Sequence, residues 1–245
     1  MENKKLKIDP SEVAEKMNKI LRDSGSGWHN LMKGYLVSND FVKVLKTLEE
    51  LVNDDKRFTP PLKDVFRAFT ECPLDNLKVV IVGQDPYPQL GVADGIAFSC
   101  SKKDKKEASL RYIHKAIAKT VYNDEVDFNS LSNDLSGWSA QGVLMLNTAL
   151  TTEVGKIGKH MDIWKPFIGY LIDMLNSIDK EVIFVFLGKK AQEYEDLVDD
   201  IKNFILKTSH PASAAYNKQK EWDCNDVFNK ANDILESREW PKIIW

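Results

Sequence analysis

The sequence predicts an α/β fold in which helices flank a parallel sheet, and three observations support this. Short runs rich in β-branched and other apolar residues have the length and composition of strands that are buried on both faces. Segments with apolar residues at helical spacing alternate with these runs, and this alternation is typical of a parallel sheet. The 245 residues suffice for one sizeable core, so a single domain is expected.

The first part of the chain divides into an extension and the start of this domain. Residues 1–26 are polar and end in Ser24-Gly25-Ser26-Gly27, which is typical of a flexible junction, although residues 11–22 could form a short helix. We therefore expect an N-terminal extension over 1–26 and a domain over 27–245. After Ser38-Asn39-Asp40, which offers capping side chains, apolar residues from Phe41 to Val52 share one face and predict a helix.

Strands and helices alternate through the rest of the chain. A further helix is expected over residues 64–72. Pro166 is expected to open another, because proline is favoured in the first helical turn. The remaining elements follow from the same apolar spacing: strands over 78–82, 142–147, 182–187 and 204–208, and helices over 110–121, 190–199 and 227–235.

Composition excludes several classes of protein. The longest apolar runs, such as 182–187, are far shorter than the roughly 20 residues that cross a bilayer, and no secretory signal is visible, so a cytoplasmic protein is expected. Cys72, Cys100 and Cys224 are widely separated and lack the paired spacing of a zinc site or disulfide framework. The formal net charge of −3 gives no overall attraction to nucleic acid, so any DNA-binding surface must be local.

Three polar residues lie just after predicted strands, where open parallel sheets bind their ligands. They are Asp85, Asn147 and His210, and they are expected to meet in one cleft. Taken singly, each has an ordinary explanation: a turn at Asp85-Pro86, a cap at Asn147 and a loop histidine at His210. Residues 83–95 match neither the dinucleotide nor the phosphate-loop glycine pattern, so no nucleotide cofactor is expected.

The segment Gly83-Gln84-Asp85-Pro86-Tyr87-Pro88, together with Asn147 and His210-Pro211, resembles the motifs of the family-1 uracil-DNA glycosylases. The similarity in order and spacing covers roughly residues 27–236. It implies a single domain around a four-stranded parallel sheet and no cofactor. The cysteine spacing gives no metal site, and a monomer is the default expectation. The resemblance also implies hydrolysis of the N-glycosidic bond of deoxyuridine in single- or double-stranded DNA, which leaves an abasic site for base-excision repair.

The resemblance implies catalytic roles for Asp85 and His210. Bond cleavage leaves positive charge on the sugar and negative charge on the departing uracil, so the site must stabilise both. An ionised Asp85 would stabilise the sugar cation and orient the attacking water. His210 would donate a hydrogen bond to O2 of the uracil anion, and the family precedent is a neutral histidine.

The resemblance also implies four residues that bind the base after the nucleotide has left the duplex. The amide of Asn147 would pair with O4 and N3–H of uracil, for which cytosine has the reverse pattern. Tyr87 would lie against C5 and exclude the methyl group of thymine, and Gln84 would contribute a backbone N–H. Phe98 would stack on the base, with core packing as the alternative explanation.

The sequence departs from the family pattern where DNA is expected to bind. Ala212-Ser213-Ala214 follows Pro211, where the family has a leucine that fills the gap left by the flipped nucleotide. Tyr216 and Trp222 are the candidates to replace that leucine, and Tyr216 is nearer; local packing of both is the alternative. Ala214 remains a predicted DNA contact by position.

The loop before Ser109 is also altered. A proline-rich segment in the family is replaced by Lys102-Lys103-Asp104-Lys105-Lys106, which could bind phosphates or form a solvated loop. Lys189 adds charge where a serine is common, and Pro88 replaces a common histidine. Ser109 and Lys189 are therefore predicted to contact DNA.

Two alternative functions stay open. One is a non-enzymatic DNA-binding or processivity module on the same fold, since a fold alone does not guarantee activity. The other is a glycosylase for a different base. The presence of Asp85, Asn147 and His210 argues against the first alternative, and Tyr87 together with Asn147 argues against the second.

Overall fold

A computed structural model of the chain describes residues 5–101, 106–217 and 220–245. Its centre is a four-stranded parallel sheet with helices packed around it, which confirms the predicted fold class. A small antiparallel ladder pairs Phe58–Thr59 with Thr152–Glu153 and was not predicted. The strands, in chain order, are β1 (Phe58–Thr59), β2 (Val79–Gly83), β3 (Val143–Asn147), β4 (Thr152–Glu153), β5 (Ile183–Leu187) and β6 (Phe204–Thr208).

The order β3-β2-β5-β6 places the first parallel strand between two neighbours and aligns the carboxyl ends of the strands. Gly83 at the end of β2 is opposite Asn147 at the end of β3. Leu187 at the end of β5 is opposite Thr208 at the end of β6. Because every residue of β2, β3 and β5 is buried, polar chemistry is confined to the carboxyl ends of these strands and to the segments that follow them.

The helices pack their apolar faces on this sheet and on one another. In the described part of the chain they are α1 (Pro10–Asp23), α2 (His29–Leu36), α3 (Asn39–Asn53), α4 (Arg67–Glu71), α5 (Ala108–Thr120), α6 (Ser136–Ala140), α7 (Met161–Ser177), α8 (Lys189–Gln192) and α9 (Val227–Ser237). Ser38 caps α3 as its sequence predicts, because its hydroxyl accepts a hydrogen bond from the Phe41 N–H at 3.2 Å.

Two predicted helices differ from the structure. Pro166 does not open α7 but lies inside it, since the helix begins at Met161. The turn before the proline is held by Trp164, which is buried and donates from its indole N–H to Thr151 Oγ1 at 2.8 Å. The helix predicted over residues 190–199 ends at Gln192, and a separate 3₁₀ turn follows over Glu195–Leu197.

The N-terminal segment packs against the rest of the protein. Ala14, Met17 and Leu21 of α1 are buried in the main hydrophobic core. The junction is ordered too, because Ser26 is buried and its carbonyl accepts the Leu74 N–H at 2.8 Å. The expectation of a flexible junction is therefore wrong at this point, since a tertiary hydrogen bond fixes it. A functional boundary at residue 26 stays a prediction.

Candidate active site

A cleft of about 260 Å³ opens beyond the carboxyl ends of β2 and β3. Its walls come from the segment after β2, the loop before α5, the end of β3 and the segment after β6. The two predicted catalytic residues and the four predicted base-binding residues all line it, namely Gln84, Asp85, Tyr87, Phe98, Asn147 and His210. The structure therefore brings these six residues together in one cavity.

Asn147 lies at the floor of the cleft, and Gly83 packs directly against it and against Phe98. A Cβ atom built on Gly83 would lie 2.7 Å from Asn147 Oδ1 and 2.8 Å from the Phe98 ring. These separations are shorter than any normal contact, so only glycine lets the amide and the aromatic ring approach the end of β2 so closely. The glycine at the head of the motif thus sets the width of the cleft.

The segment after β2 is tied to the segment after β3. Thr148 N–H donates to the Gly83 carbonyl at 3.0 Å, and Ala149 N–H donates to the Gln84 carbonyl at 3.1 Å. The Thr148 hydroxyl also donates to the Gln84 carbonyl at 2.7 Å. These bonds continue the parallel pairing beyond the sheet, so Asp85 and Asn147 sit on a rigid support.

Asp85 is half-buried at the mouth of the cleft, and its carboxylate accepts the Gly158 N–H. Burial raises the pKa of Asp85 above its ordinary value, while the hydrogen bonds from Gly158 and Gln84 oppose the rise. The Gly158 bond also stabilises the ionised form and fixes one carboxylate oxygen. A carboxylate fixed in this way can stabilise a positive charge that develops beside it.

His210 is fixed by a backbone group. Its Nδ1 accepts the Ala212 N–H at 3.2 Å, so in the neutral ring the proton lies on Nε2, which can donate into the cleft. Burial lowers the pKa of His210 below 6.5 and favours this neutral form. Gly188 packs directly on the residue, since a Cβ there would lie 2.7 Å from His210 Cβ.

Tyr87 and Phe98 form the aromatic part of the wall. The Tyr87 hydroxyl donates to the Phe98 carbonyl at 3.0 Å, which turns the tyrosine ring along the cleft. The ring of Phe98 lies 5.8 Å from that of His210. Phe98 has a φ of +64°, a left-handed conformation that bulky residues rarely adopt.

The residues predicted to contact DNA are placed very differently from one another. Ser109 lines the cleft in the first turn of α5, and Lys189 is exposed at the start of α8. Tyr216 is 93% exposed at the end of a 3₁₀ helix that begins at Pro211. Ala214 in that helix is fully buried, so the prediction that it contacts DNA is corrected: its methyl group packs inward.

Trp222 is likewise excluded as the residue that replaces the family's leucine. It is 7% exposed, and its indole N–H donates to the carbonyl and hydroxyl oxygens of Ser209, each at 3.1 Å. Local packing, the alternative explanation, is therefore the correct one for Trp222. Tyr216 stays the candidate to replace the leucine, because a side chain that enters the base stack of DNA must project from the protein surface.

The predicted lysine loop is described only at its last residue. Lys102 to Lys105 lie outside the described residues. The ammonium of Lys106 donates to the carbonyl oxygens of Asn129 and Leu131 and to Asn133 Oδ1. The Lys106 side chain is therefore bound to the loop over residues 129–133.

Sequence patterns did not reveal several residues that complete the cleft. Gly158 binds Asp85 from a loop more than 70 positions away, and Ile157 beside it lines the cleft with 73% of its surface exposed. Pro88 carries the same loop, since its carbonyl accepts the Gly155 N–H at 2.9 Å. In the sequence, Gly155 and Gly158 are the local sign of a tight loop. In the structure both have positive φ.

Two kinds of feature are absent from the described residues. No group of three or more His, Cys, Asp or Glu side chains in residues 5–101, 106–217 and 220–245 is arranged to hold a metal ion. Within the same residues, no helix has both the length and the apolar character needed to cross a membrane.

Comparison with known proteins shows which family this chain belongs to. The profile of the "Uracil DNA glycosylase superfamily" matches residues 69–236. The uracil-DNA glycosylase of Acinetobacter baylyi is 34% identical over 94% of this chain and 95% of its own length. That of Caenorhabditis elegans is 32% identical over 100% of this chain and 85% of its own. The crystal structure of mimivirus uracil-DNA glycosylase covers 98% of this chain and 90% of its own, with 25% identity and a TM-score of 0.81. The chain belongs to the uracil-DNA glycosylase superfamily.

Proposed function

We propose that this protein is a uracil-DNA glycosylase that hydrolyses the N-glycosidic bond of deoxyuridine in DNA. Free uracil and an abasic site, the substrate of base-excision repair, are its products. The observation that carries the proposal is the meeting of Asp85, Asn147 and His210 with two aromatic side chains in one 260 Å³ cleft. The protein acts as a cytoplasmic monomer on both single- and double-stranded DNA.

Base recognition follows from the walls of the cleft. A cavity on this scale admits a single base only after the nucleotide has rotated out of the stack. Asn147 is 9% exposed, so its amide meets the base in a site with little competing water and can discriminate uracil from cytosine. Tyr87 is held by its hydroxyl and cannot yield to a thymine methyl group. Phe98 stacks on the face of the base.

The chemistry is a substitution at C1′ of the sugar. The bond between C1′ and N1 breaks, its electron pair leaves with uracil, and a water molecule adds to C1′ and releases a proton. Asp85 faces the sugar and stabilises its positive charge, while the Nε2–H of His210 donates to O2 of the departing anion. Both groups are preorganised by backbone N–H donors, those of Gly158 and Ala212, so little rearrangement is needed during reaction.

DNA is held by the residues around the mouth of the cleft. Tyr216 enters the space left by the flipped nucleotide, because it is 93% exposed and lies on the same 3₁₀ helix as Ala212, which lines the cleft. Lys189 and Ser109 approach the phosphates on either side. The aromatic ring of Tyr216 offers stacking with the neighbouring bases, worth about 1–3 kcal/mol.

One experiment tests the proposal against its alternatives. Single-stranded and duplex oligonucleotides that carry uracil, thymine or cytosine at one position are incubated with the protein, and abasic sites are cleaved with alkali. We expect strand breaks at uracil alone. Breaks at another base would indicate a different specificity, and binding of the oligonucleotides without breaks would indicate a non-enzymatic DNA-binding module.

A further inference from the structure

The left-handed backbone of Phe98 needs support from outside its own residue. The ring lies over Gly83 while the Phe98 backbone has this conformation, which a bulky side chain adopts rarely. Neighbouring bonds hold part of the loop: Ala97 N–H donates to the Met145 carbonyl at 3.1 Å, and Cys100 N–H donates to the Asn133 carbonyl at 3.0 Å. These bonds attach the loop to the sheet and to the segment before α6.

A backbone bond from the Ser99 N–H to the Ile96 carbonyl at 3.2 Å closes the turn around Phe98, and the carboxylate of Asp94 adds further bonds to it. Its Oδ1 accepts the Ile96 N–H at 3.2 Å, and its Oδ2 accepts the Ser99 hydroxyl at 2.7 Å and the Ser101 N–H at 2.9 Å. Asp94 therefore binds donors on both sides of Phe98 in the chain. The residue is 1% exposed, so water does not compete for these bonds.

The buried charge of Asp94 is matched by Arg67 in α4. Arg67 Nη1 lies 3.0 Å from Asp94 Oδ2, and Nη2 lies 3.0 Å from Asp134 Oδ1 before α6. Gly95 makes this approach possible, because a Cβ there would lie 1.8 Å from the Asp64 carbonyl oxygen and 2.9 Å from Arg67 Cβ. The loop that carries Phe98 is thus fastened to α4 by an ion pair whose acid is fully buried.

We propose that Asp94 is a positioning residue for the base-binding site: its charge, balanced by Arg67, holds Phe98 against the base. The inference rests on the proposed function, because it takes Phe98 to be the surface on which uracil stacks. Asp94 acts through Phe98 and touches no substrate. Its role is distinct from those of Asp85 and His210, which face the reacting bond.

Asp94→Asn removes this support with little change of shape. Four donors surround the carboxylate: the Ile96 and Ser101 N–H groups, the Ser99 hydroxyl and the Arg67 guanidinium. An amide keeps one acceptor oxygen and turns an NH₂ group toward the other donors, so at least one of them loses its acceptor and Arg67 loses its counter-charge. The turn is expected to relax and Phe98 to move from its place over Gly83.

The test is a double-mutant cycle on single-stranded uracil DNA. The parent, Asp94→Asn, Phe98→Ala and the double variant are compared in kcat/KM for uracil release and in inhibition by free uracil. We expect Asp94→Asn to lower kcat/KM about tenfold and to weaken uracil inhibition, since small misplacements of binding groups have effects on this scale. In the double variant Asp94→Asn should add less than twofold to the loss from Phe98→Ala, because both changes remove the same contact.

Two results would overturn the inference: an Asp94→Asn protein with parental kinetics, or losses that multiply in the double variant, as a general loss of folding would produce. A parent that releases no uracil would refute the proposed function instead. Glu195→Gln, which breaks the exposed pair with Lys207, is the matched control and should keep parental kinetics. If Asp94→Asn does not fold, Arg67→Lys takes its place in the same cycle, with the same two outcomes deciding.

Discussion

The floor of the cleft and its rim are built by opposite means. Gly83 and Asn147 on the floor are buried, opposite each other in the sheet, and joined to the following residues by backbone hydrogen bonds. On the rim, Tyr216 and Ile157 are 93% and 73% exposed on short connecting segments. The chemistry is therefore bound to the sheet, whereas the grip on DNA can change without disturbing it. The residues that resemble the family's motifs lie at the ends of the strands, and the departures from the family pattern lie on the rim.

Loss of either catalytic group should have the largest effect and show that the segments after the strands, rather than the rim, carry the chemistry. Asp85→Asn and His210→Leu are each expected to lower kcat for uracil release by about 10²–10³, since each removes a preorganised electrostatic contact to a developing charge. Single-turnover release from single-stranded DNA measures this. Asp233→Asn, an exposed aspartate in α9, serves as control. Normal rates in folded Asp85→Asn or His210→Leu would contradict the assigned roles.

Gly83→Ala tests the floor without removing any functional group. The added methyl group must push Asn147 and Phe98 apart, so kcat/KM is expected to fall about 10²-fold, with a stability loss of about 1–3 kcal/mol from overpacking. Gly169→Ala is a matched control, because a Cβ there meets no atom within 4 Å. Thermal unfolding and kinetics on both variants separate the two effects. Parental kinetics in Gly83→Ala would show that the site tolerates the methyl group and would contradict this prediction.

The pH profile of kcat/KM should be flat near neutrality and fall on the acid side. Burial lowers the pKa of His210 from 6.5, so its neutral form persists below pH 6.5, and protonation of Nδ1 then breaks the bond from Ala212. Burial raises the pKa of Asp85 from 3.8, so its carboxylate is lost at a higher pH than usual. The fall is therefore expected on the acid side of pH 6.5, about tenfold per unit for one essential proton. An acid limb above pH 6.5 would contradict this assignment of His210.

Tyr216→Ala probes the rim and should affect duplex DNA most. Loss of a stacking ring is expected to lower kcat/KM about tenfold on duplex uracil DNA, and much less on single strands, where no neighbouring stack must be opened. Ile201→Ala, at a residue that is 97% exposed, controls for loss of a surface side chain. Parallel assays on matched duplex and single-stranded oligonucleotides give the ratio. Equal losses on both substrates would reject the wedge.

Ile157→Ser should have the smallest effect. The side chain lines the mouth of the cleft but is 73% exposed, so it can bury only part of its surface against the nucleotide. We expect KM to rise about two- to threefold with kcat unchanged, as for a contact equally strong in the ground and transition states. Val37→Ser, also exposed, is the control. A fall in kcat would instead show that the Gly158 bond to Asp85 was disturbed.

The sequence by itself determined the fold class, the four strands of the parallel sheet and the residues at their ends. Short β-branched runs that alternate with helical patterns are typical of strands buried on both faces, and the motif after the first run carries Asp85 two residues after Gly83. Because ligands gather at the carboxyl ends of parallel strands, the meeting of Asp85, Asn147 and His210 could be anticipated from their positions after predicted strands. Those predictions needed only local patterns and the direction of the strands.

The tertiary structure alone decided how those residues are held and which rim residues are free. Gly158 reaches Asp85 and Asp94 reaches Arg67 through contacts between distant segments. The start of α7 ahead of Pro166, the burial of Ala214 and Trp222 and the exposure of Tyr216 likewise depend on what each segment packs against. Hydrogen bonds and burial join residues that are close in space, whereas propensity reports only on neighbours in the chain, so no local pattern distinguishes Trp222 from Tyr216.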